Sequence, residues 1–121
     1  MKLTIPGELP TLNEIIDASK SHYQAYRRLK SEAEERVIWP AKALPKMDRV
    51  RLHITWYRSN RRHDPDNILA GTKFILDGLV QAGVLENDGW KEIDSISHDW
   101  KVDKDNPRVE VEIEETKEAT A

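Results

Sequence analysis

Arg49-Val50-Arg51-Leu52-His53-Ile54-Thr55-Trp56-Tyr57-Arg58 alternates apolar and polar side chains without interruption. Val50, Leu52, Ile54 and Trp56 fall on one side and Arg51, His53, Thr55 and Tyr57 on the other, the period of two that marks a half-buried β-strand. Ser59 to His63 is polar and basic, a loop. Asp64-Pro65-Asp66-Asn67 then has the chemistry of a helix start, with Pro near the first helical position and acids where the helix dipole is positive. Ile68, Thr72, Ile75, Leu76 and Leu79 recur at helical spacing. They predict one continuous helix from about residue 66 to Ala82, ended by Gly83.

Outward from this strand and helix, both flanks are legible. Lys2 to Ile5 alternates weakly and stops at Pro6-Gly7, a short first strand. Pro10-Thr11-Leu12-Asn13 is a turn in which Thr11 or Asn13 caps a following helix. Glu14 to Ile38 is helical, with a break near Ser19–Ser21, and Pro40 and Pro45 stop it. Downstream, Ile93 to Val102 reads as a strand with Ile96, His98, Trp100 and Val102 on one face. Asp103-Lys104-Asp105-Asn106 reads as a hairpin turn, and Val109, Val111 and Ile113 point inward from a last strand. The order β-α-β-α-β-β predicts an α+β (mixed α/β) single domain, a small mixed sheet packed with helices. Residues 1–115 form the domain and 116–121 a frayed tail.

Composition narrows the chemistry. The chain has 121 residues, 38% hydrophobic and 34% charged, with no cysteine. Disulfides, cysteine-based zinc sites and thiol nucleophiles are excluded. No apolar run reaches the ~20 residues of a membrane helix, and a cytoplasmic protein is expected. Net charge is −3, which argues weakly against a nucleic-acid partner. Its distribution argues the other way. Residues 20–30 carry Lys20, Arg27, Arg28 and Lys30 and no acid, and residues 41–62 carry seven bases against one acid. Residues 85–118 hold twelve acids against five bases, so the charge is segregated along the chain.

The densest chemistry is Arg61-Arg62-His63-Asp64-Pro65-Asp66-Asn67. In extended backbone, residues two apart point the same way, so Asp64 and Asp66 can converge on one hard cation, Mg²⁺ or Mn²⁺. Helix capping explains the same residues without a metal. At ~100° per residue, Asp66, Lys73 and Asp77 share one azimuth of the predicted helix, a stripe that is also an ordinary salt-bridge row. Asp88 lies in the turn beyond that helix and must fold back to rejoin the pair. An EF-hand fails, because Leu69 stands where its Gly is needed and Ile75 where its Glu is needed. There is no phosphate-binding Gly-rich loop and no zinc spacing among His22, His53, His63 and His98. His98 reads as a hydrogen-bonded packing residue. The tryptophans read as core residues by default, with Trp90 notable for flanking Asp88.

Pro10-Thr11-Leu12-Asn13, Arg62-His63-Asp64-Pro65-Asp66-Asn67, Lys73-Phe74-Ile75-Leu76-Asp77-Gly78-Leu79 and Gly83 followed by Asn87-Asp88 together resemble the RusA family of Holliday-junction resolvases. These are small endodeoxyribonucleases common in phages and prophages. The resemblance spans nearly the whole chain. It implies that Asp64, Asp66 and Asp88 are metal-binding and catalytic, that Lys73 is the catalytic lysine, and that the protein is a Mg²⁺-dependent homodimer cutting four-way DNA junctions by paired nicks. One spacing departs from the pattern. The usual lysine follows the second aspartate by four residues; here Ala70 holds that place and Lys73 comes three later, as if a turn were inserted near Leu69–Gly71.

The expected function is therefore a metal-dependent, structure-selective endonuclease of DNA recombination and repair. Lys20, Arg27, Arg28, Lys30, Arg58, Arg61, Arg62 and His63 are the expected DNA contacts. The alternatives are a non-catalytic junction-binding module of the same fold and, more weakly, a small-nucleotide phosphohydrolase. A homodimer interface is expected on the first helix, where Ile15, Ile16, Leu29, Val37 and Ile38 exceed what one sheet face need cover.

Overall fold

The computed structural model describes residues 1–116. The strands are β1 (Lys2–Pro6), β2 (Val50–Arg58), β3 (Ile93–Val102) and β4 (Arg108–Glu115); the helices are α1 (Leu12–Ser21), α2 (Tyr23–Ala41), α3 (Pro65–Leu69) and α4 (Thr72–Gln81). They form one α+β domain whose element order matches the expected one, with each expected helix divided in two. The expected tail lies, beyond Thr116, outside the described residues.

The four strands run β1-β4-β2-β3 across the sheet. β4 is antiparallel to both β1 and β2, while β2 and β3 are parallel, with Leu52 beside Ile96 and Arg58 beside Val102. This corrects the hairpin expectation for 103–106. β2 lies between β3 and β4, so the segment steps over the end of β2, tied there by the Asp103 N–H donating to the Arg58 carbonyl at 2.8 Å. Alternation in two successive strands cannot distinguish neighbours from strands one position apart.

One face of the sheet carries the core. Leu3, Ile5, Leu52, Ile54, Trp56, Val109, Val111 and Ile113 meet Val37, Phe74, Ile75 and Leu79 from the helices, all buried. The helices meet closely at Gly78, which faces Val37 of α2. The opposite face is open and polar. There the Arg49 and Arg51 guanidinium groups bind the Asp94 carboxylate at 2.6 and 2.9 Å and hold it below the usual carboxylate range. These two arginines, part of the second basic segment, thus share one carboxylate, which offsets half of their charge.

The first helical stretch breaks at His22, one residue beyond the expected region. Thr11 caps α1 through a reciprocal capping box with Glu14, and the His22 ring caps α2 by accepting from Ala25 N–H at 3.1 Å. Pro40 sits inside the last turn of α2 rather than beyond its end, where the sequence predicts it. α1 has no buried residue, and α2 has none before Ala33. The two therefore form a helical arm that leaves the core and returns to it. Ile15 and Leu29 pack against the core and Val37 is inside it. Of the apolar residues that suggested a dimer interface on the first helical stretch, Val37 is thus absorbed within the chain and Ile15 and Leu29 in part, while Ile16 is 39% exposed.

The predicted 66–82 helix is also divided. Gly71 N–H donates to Ile68 O and Phe74 N–H to Gly71 O, each at 3.1 Å, so the ladder tightens from i−4 to i−3 bonding. Gly71 is held against Trp56; a Cβ there would lie 3.1 Å from its ring. The tightened turn falls near Leu69–Gly71, where the sequence predicts an inserted turn before Lys73. α4 ends in a Schellman motif, with Gly83 at φ +82° and Val84 N–H donating to Leu79 O at 3.0 Å.

Candidate active site and nucleic-acid surface

Asp64 is the residue before α3, in extended conformation at φ −72°, ψ 155°, with Pro65 opening the helix. Its carboxylate caps nothing: no side-chain capping bond is made, and among the described residues it has neither a hydrogen-bond nor an ion-pair partner. Capping therefore does not account for an acid at this position. Asp66 lies inside the first turn of α3, so the two carboxylates are not presented as they would be along a strand. One Asp66 oxygen accepts the Asn67 N–H at 2.9 Å. Both aspartates are exposed.

Asn67 organises the surroundings. Its Oδ1 accepts the Asn13 N–H at 3.0 Å, and its Nδ2 lies 3.2 Å from His63 Nδ1. The P-x-x-N turn and the Asp-Pro-Asp-Asn segment, 54 residues apart, are thereby joined. The helical arm is rooted at this point. Lys20, Arg27, Arg28 and Lys30 lie along it; Arg27 sits over the Tyr23 ring at 5.5 Å, and Lys30 pairs with Glu34 at 3.9 Å. Arg61 and Arg62 are exposed in the loop before Asp64.

Arg58 behaves differently from the expectation. Only 8% of it is exposed. Its guanidinium lies 3.4 Å from the Glu8 carboxylate, whose same oxygen accepts the Ser59 N–H at 2.9 Å. Arg58 fastens the end of β2 to the segment after β1, a structural role that a single alternating strand does not disclose. Lys73 is exposed in the first turn of α4, 4.0 Å from Asp77. The tightened turn at Gly71 breaks the constant azimuth on which the Asp66–Lys73–Asp77 stripe rested.

Asp88 lies at the other end of the molecule. Met47 N–H donates to Val84 O at 2.8 Å and Val50 N–H to Glu92 O at 2.9 Å, which places residues 84–92 at the start of β2. Asp64 follows the end of β2 and lines a cleft with Lys101 and Val102. Eight residue steps of strand, about 26 Å at ~3.3 Å each, separate those ends. Among the described residues no three His, Asp or Glu side chains converge closely enough to hold a metal ion. A single chain does not fit the three-carboxylate Mg²⁺ site expected from sequence: Asp64 and Asp66 both stand at the entry of α3, and Asp88 lies at the other end of β2.

Three of the four tryptophans also depart from expectation. Only Trp56 is buried; Trp100 is exposed in part, and Trp39 and Trp90 are 70% and 96% exposed. His98 does pack as expected, stacking between Trp56 and Trp100 and accepting the Trp56 Nε1–H at 3.0 Å. Its half-buried setting, and secondarily the nearby His53, lower its pKa below the ordinary histidine value. No helix among the described residues is long and apolar enough to cross a membrane.

No curated protein matches the chain. A family model described as "Endodeoxyribonuclease RusA" matches residues 15–114, most of its length. That span contains Asp64, Asp66, Lys73 and Asp88 together with the arm and three of the four strands, and on it the chain belongs to the RusA endodeoxyribonuclease family.

Proposed function

We propose that this protein is a Mg²⁺-dependent Holliday-junction resolvase that acts as a homodimer and cuts by paired nicks. The observation that carries the reading is Asp64, an exposed carboxylate at a helix entry that caps nothing, within a match to an endodeoxyribonuclease family. Asp64 and Asp66 supply two oxygen ligands, and the third, Asp88, comes from a second copy, since its own chain holds it about a strand length away. Mn²⁺ has the same preference for oxygen and substitutes for Mg²⁺. A divalent ion held by these carboxylates would supply charge neutralisation at the phosphodiester and activate water for attack.

The chain's own residues do the rest. Lys73, free on one side of its weak pair with Asp77, meets the phosphate at the scissile bond. Arg27 and Arg28 on the arm and Arg61, Arg62 and His63 in the loop hold neighbouring phosphates. This local basic surface outweighs the net charge of −3, because phosphate contacts act over about one Debye length, ~8–10 Å. Two sites related by a two-fold axis suit a junction whose resolution needs two symmetric cuts.

The test is a labelled four-way junction incubated with the protein, with and without Mg²⁺. Paired nicks that require Mg²⁺ support the reading. Junction bound but uncut under both conditions supports the rival, a non-catalytic junction-binding module, which the displaced Lys73 favours.

A further inference from the structure

β3 is the outer strand of the sheet beyond β2, and among the described residues its ten residues pair on one side only. Such an edge offers a row of backbone donors and acceptors to another strand. Its helix-side face bears Ile96, His98, Trp100 and Val102, and toward the end of the strand Trp100 and Val102 are 39% and 47% exposed. Beside them lies a cleft of about 290 Å³, with Ile68, Trp100 and Val102 as apolar walls and Arg61, Lys101 and Asp64 at its rim. At the opposite end of the same strand is the Glu86–Glu92 loop, which carries Trp90, 96% exposed and held out by a turn in which Ile93 N–H donates to Gly89 O at 3.0 Å.

Cleft and loop complement each other. The loop has three acids, Glu86, Asp88 and Glu92, against Lys91, whereas at the cleft Arg61 and Lys101 outnumber Asp64. The loop presents a large apolar ring, and the cleft has apolar walls of a size for one such group. They stand at opposite ends of β3, so they cannot meet within one chain. Antiparallel pairing of two β3 edges about a two-fold axis near Ile96–His98 reverses one strand against the other. It sets one copy's Trp90 level with, or a few residues past, Val102 of the other, and does so twice.

We propose that a second copy of this chain docks along the free edge of β3, antiparallel to it, and seats its Trp90 in the cleft beside Asp64. This rests on the two-copy reading of the site and names its interface. Trp90 is the anchor, a buried aromatic surrounded by charges that match across the contact. Asp88, two residues before the anchor, is carried with it to the neighbourhood of Asp64 and Asp66.

The absence of native cysteine makes a direct test available in the full chain. Ser95→Cys, on the exposed side of β3, is treated with a short bismaleimide in parallel with Lys20→Cys on the arm. Sedimentation equilibrium compares the native protein with Trp90→Ala, and with Trp39→Ala as an exposed-tryptophan control. The expected result is a covalent dimer from Ser95→Cys and not from Lys20→Cys, with a dimer dissociation constant at least about tenfold weaker for Trp90→Ala and unchanged for Trp39→Ala. Cross-linking through Lys20→Cys instead, or an unchanged constant for Trp90→Ala, overturns the interface and leaves the two-copy site standing. An unchanged constant with weakened junction binding would mean that the ring stacks on a DNA base. A monomer at every concentration, with and without Mg²⁺ and junction DNA, overturns both.

Discussion

Gly78→Ala tests the packing that sets the helix layer against the sheet. An Ala Cβ at this position would lie 2.5 Å from Val37 Cγ1 and 2.6 Å from Val37 Cβ. Carbon atoms in comfortable contact sit ~3.5–4.0 Å apart, so α2 and α4 must separate by about 1 Å. Val37 cannot swing aside, because its Cβ, next to the backbone, is itself in the clash and its side chain is completely buried. Overpacking of this kind costs ~1–3 kcal/mol, and the severity of the overlap puts it near the upper end. Replacing Gly by Ala inside a helix returns ~0.8–1.0 kcal/mol. The net expectation is a loss of about 1–2 kcal/mol, or ~4–8 °C in Tm for a domain of this size. Thermal melts by circular dichroism measure it, and Gly78→Ala combined with Val37→Ala should show favourable coupling between the two changes. A Tm unchanged or raised by Gly78→Ala would refute the reasoning, since helix propensity would then have won and the contact would not be tight.

Lys73→Ala should reduce junction cleavage by ~10²-fold or more if Lys73 meets developing charge, with little change in Tm because its pair with Asp77 is an exposed one. Unaltered turnover would leave it a surface residue. Arg27→Glu with Arg28→Glu should weaken junction binding and lower the slope of log K against log salt by about 2, as two phosphate contacts are lost; anisotropy titrations at several salt concentrations measure this. Stability should fall with acid through His98. Its folded pKa is depressed, so below the ordinary value of ~6.5 the unfolded chain binds the proton more readily, and the contribution is present above that value and lost as pH drops through the folded pKa. Melts across pH 5–8 should show a smaller acid-side loss for His98→Asn than for the native chain.

The strands were legible because each has one buried and one open face, so alternation survives in Val50–Arg58 and in Arg108–Glu115. Their neighbours were not. The order β4-β2-β3 depends on which edges pair, and a five-residue link can make either a hairpin or a step across one strand. The helix breaks were only partly legible. His22 is an uncommon cap, and the tightening at Gly71 comes from the nearness of Trp56, a contact between segments fifteen residues apart. Asp64 and Asp66 were found because they lie two residues apart in sequence. Arg58 was misassigned because its partner Glu8 is fifty residues away. Asp88 was identified through the family's motif, while its distance from the other two carboxylates follows from the parallel β2–β3 connection, which exchanges the ends of the sheet between residues 58 and 93. The exposure of Trp90 carried no signal in sequence beyond its place beside Asp88.

The central claim is that each site is built by two copies, and mixing two inactive variants tests it. Asp64→Asn and Asp88→Asn proteins are each assayed on a four-way junction with Mg²⁺, then unfolded together, refolded as an equimolar mixture and assayed again. If Asp64 and Asp66 of one copy act with Asp88 of the other, a mixed dimer has one site with both changes and one fully native site. Half of the dimers in a random mixture are mixed, so nicking should reappear at about one quarter of the native site density, as single nicks rather than paired ones. No recovery in a mixture shown to contain mixed dimers would contradict the account.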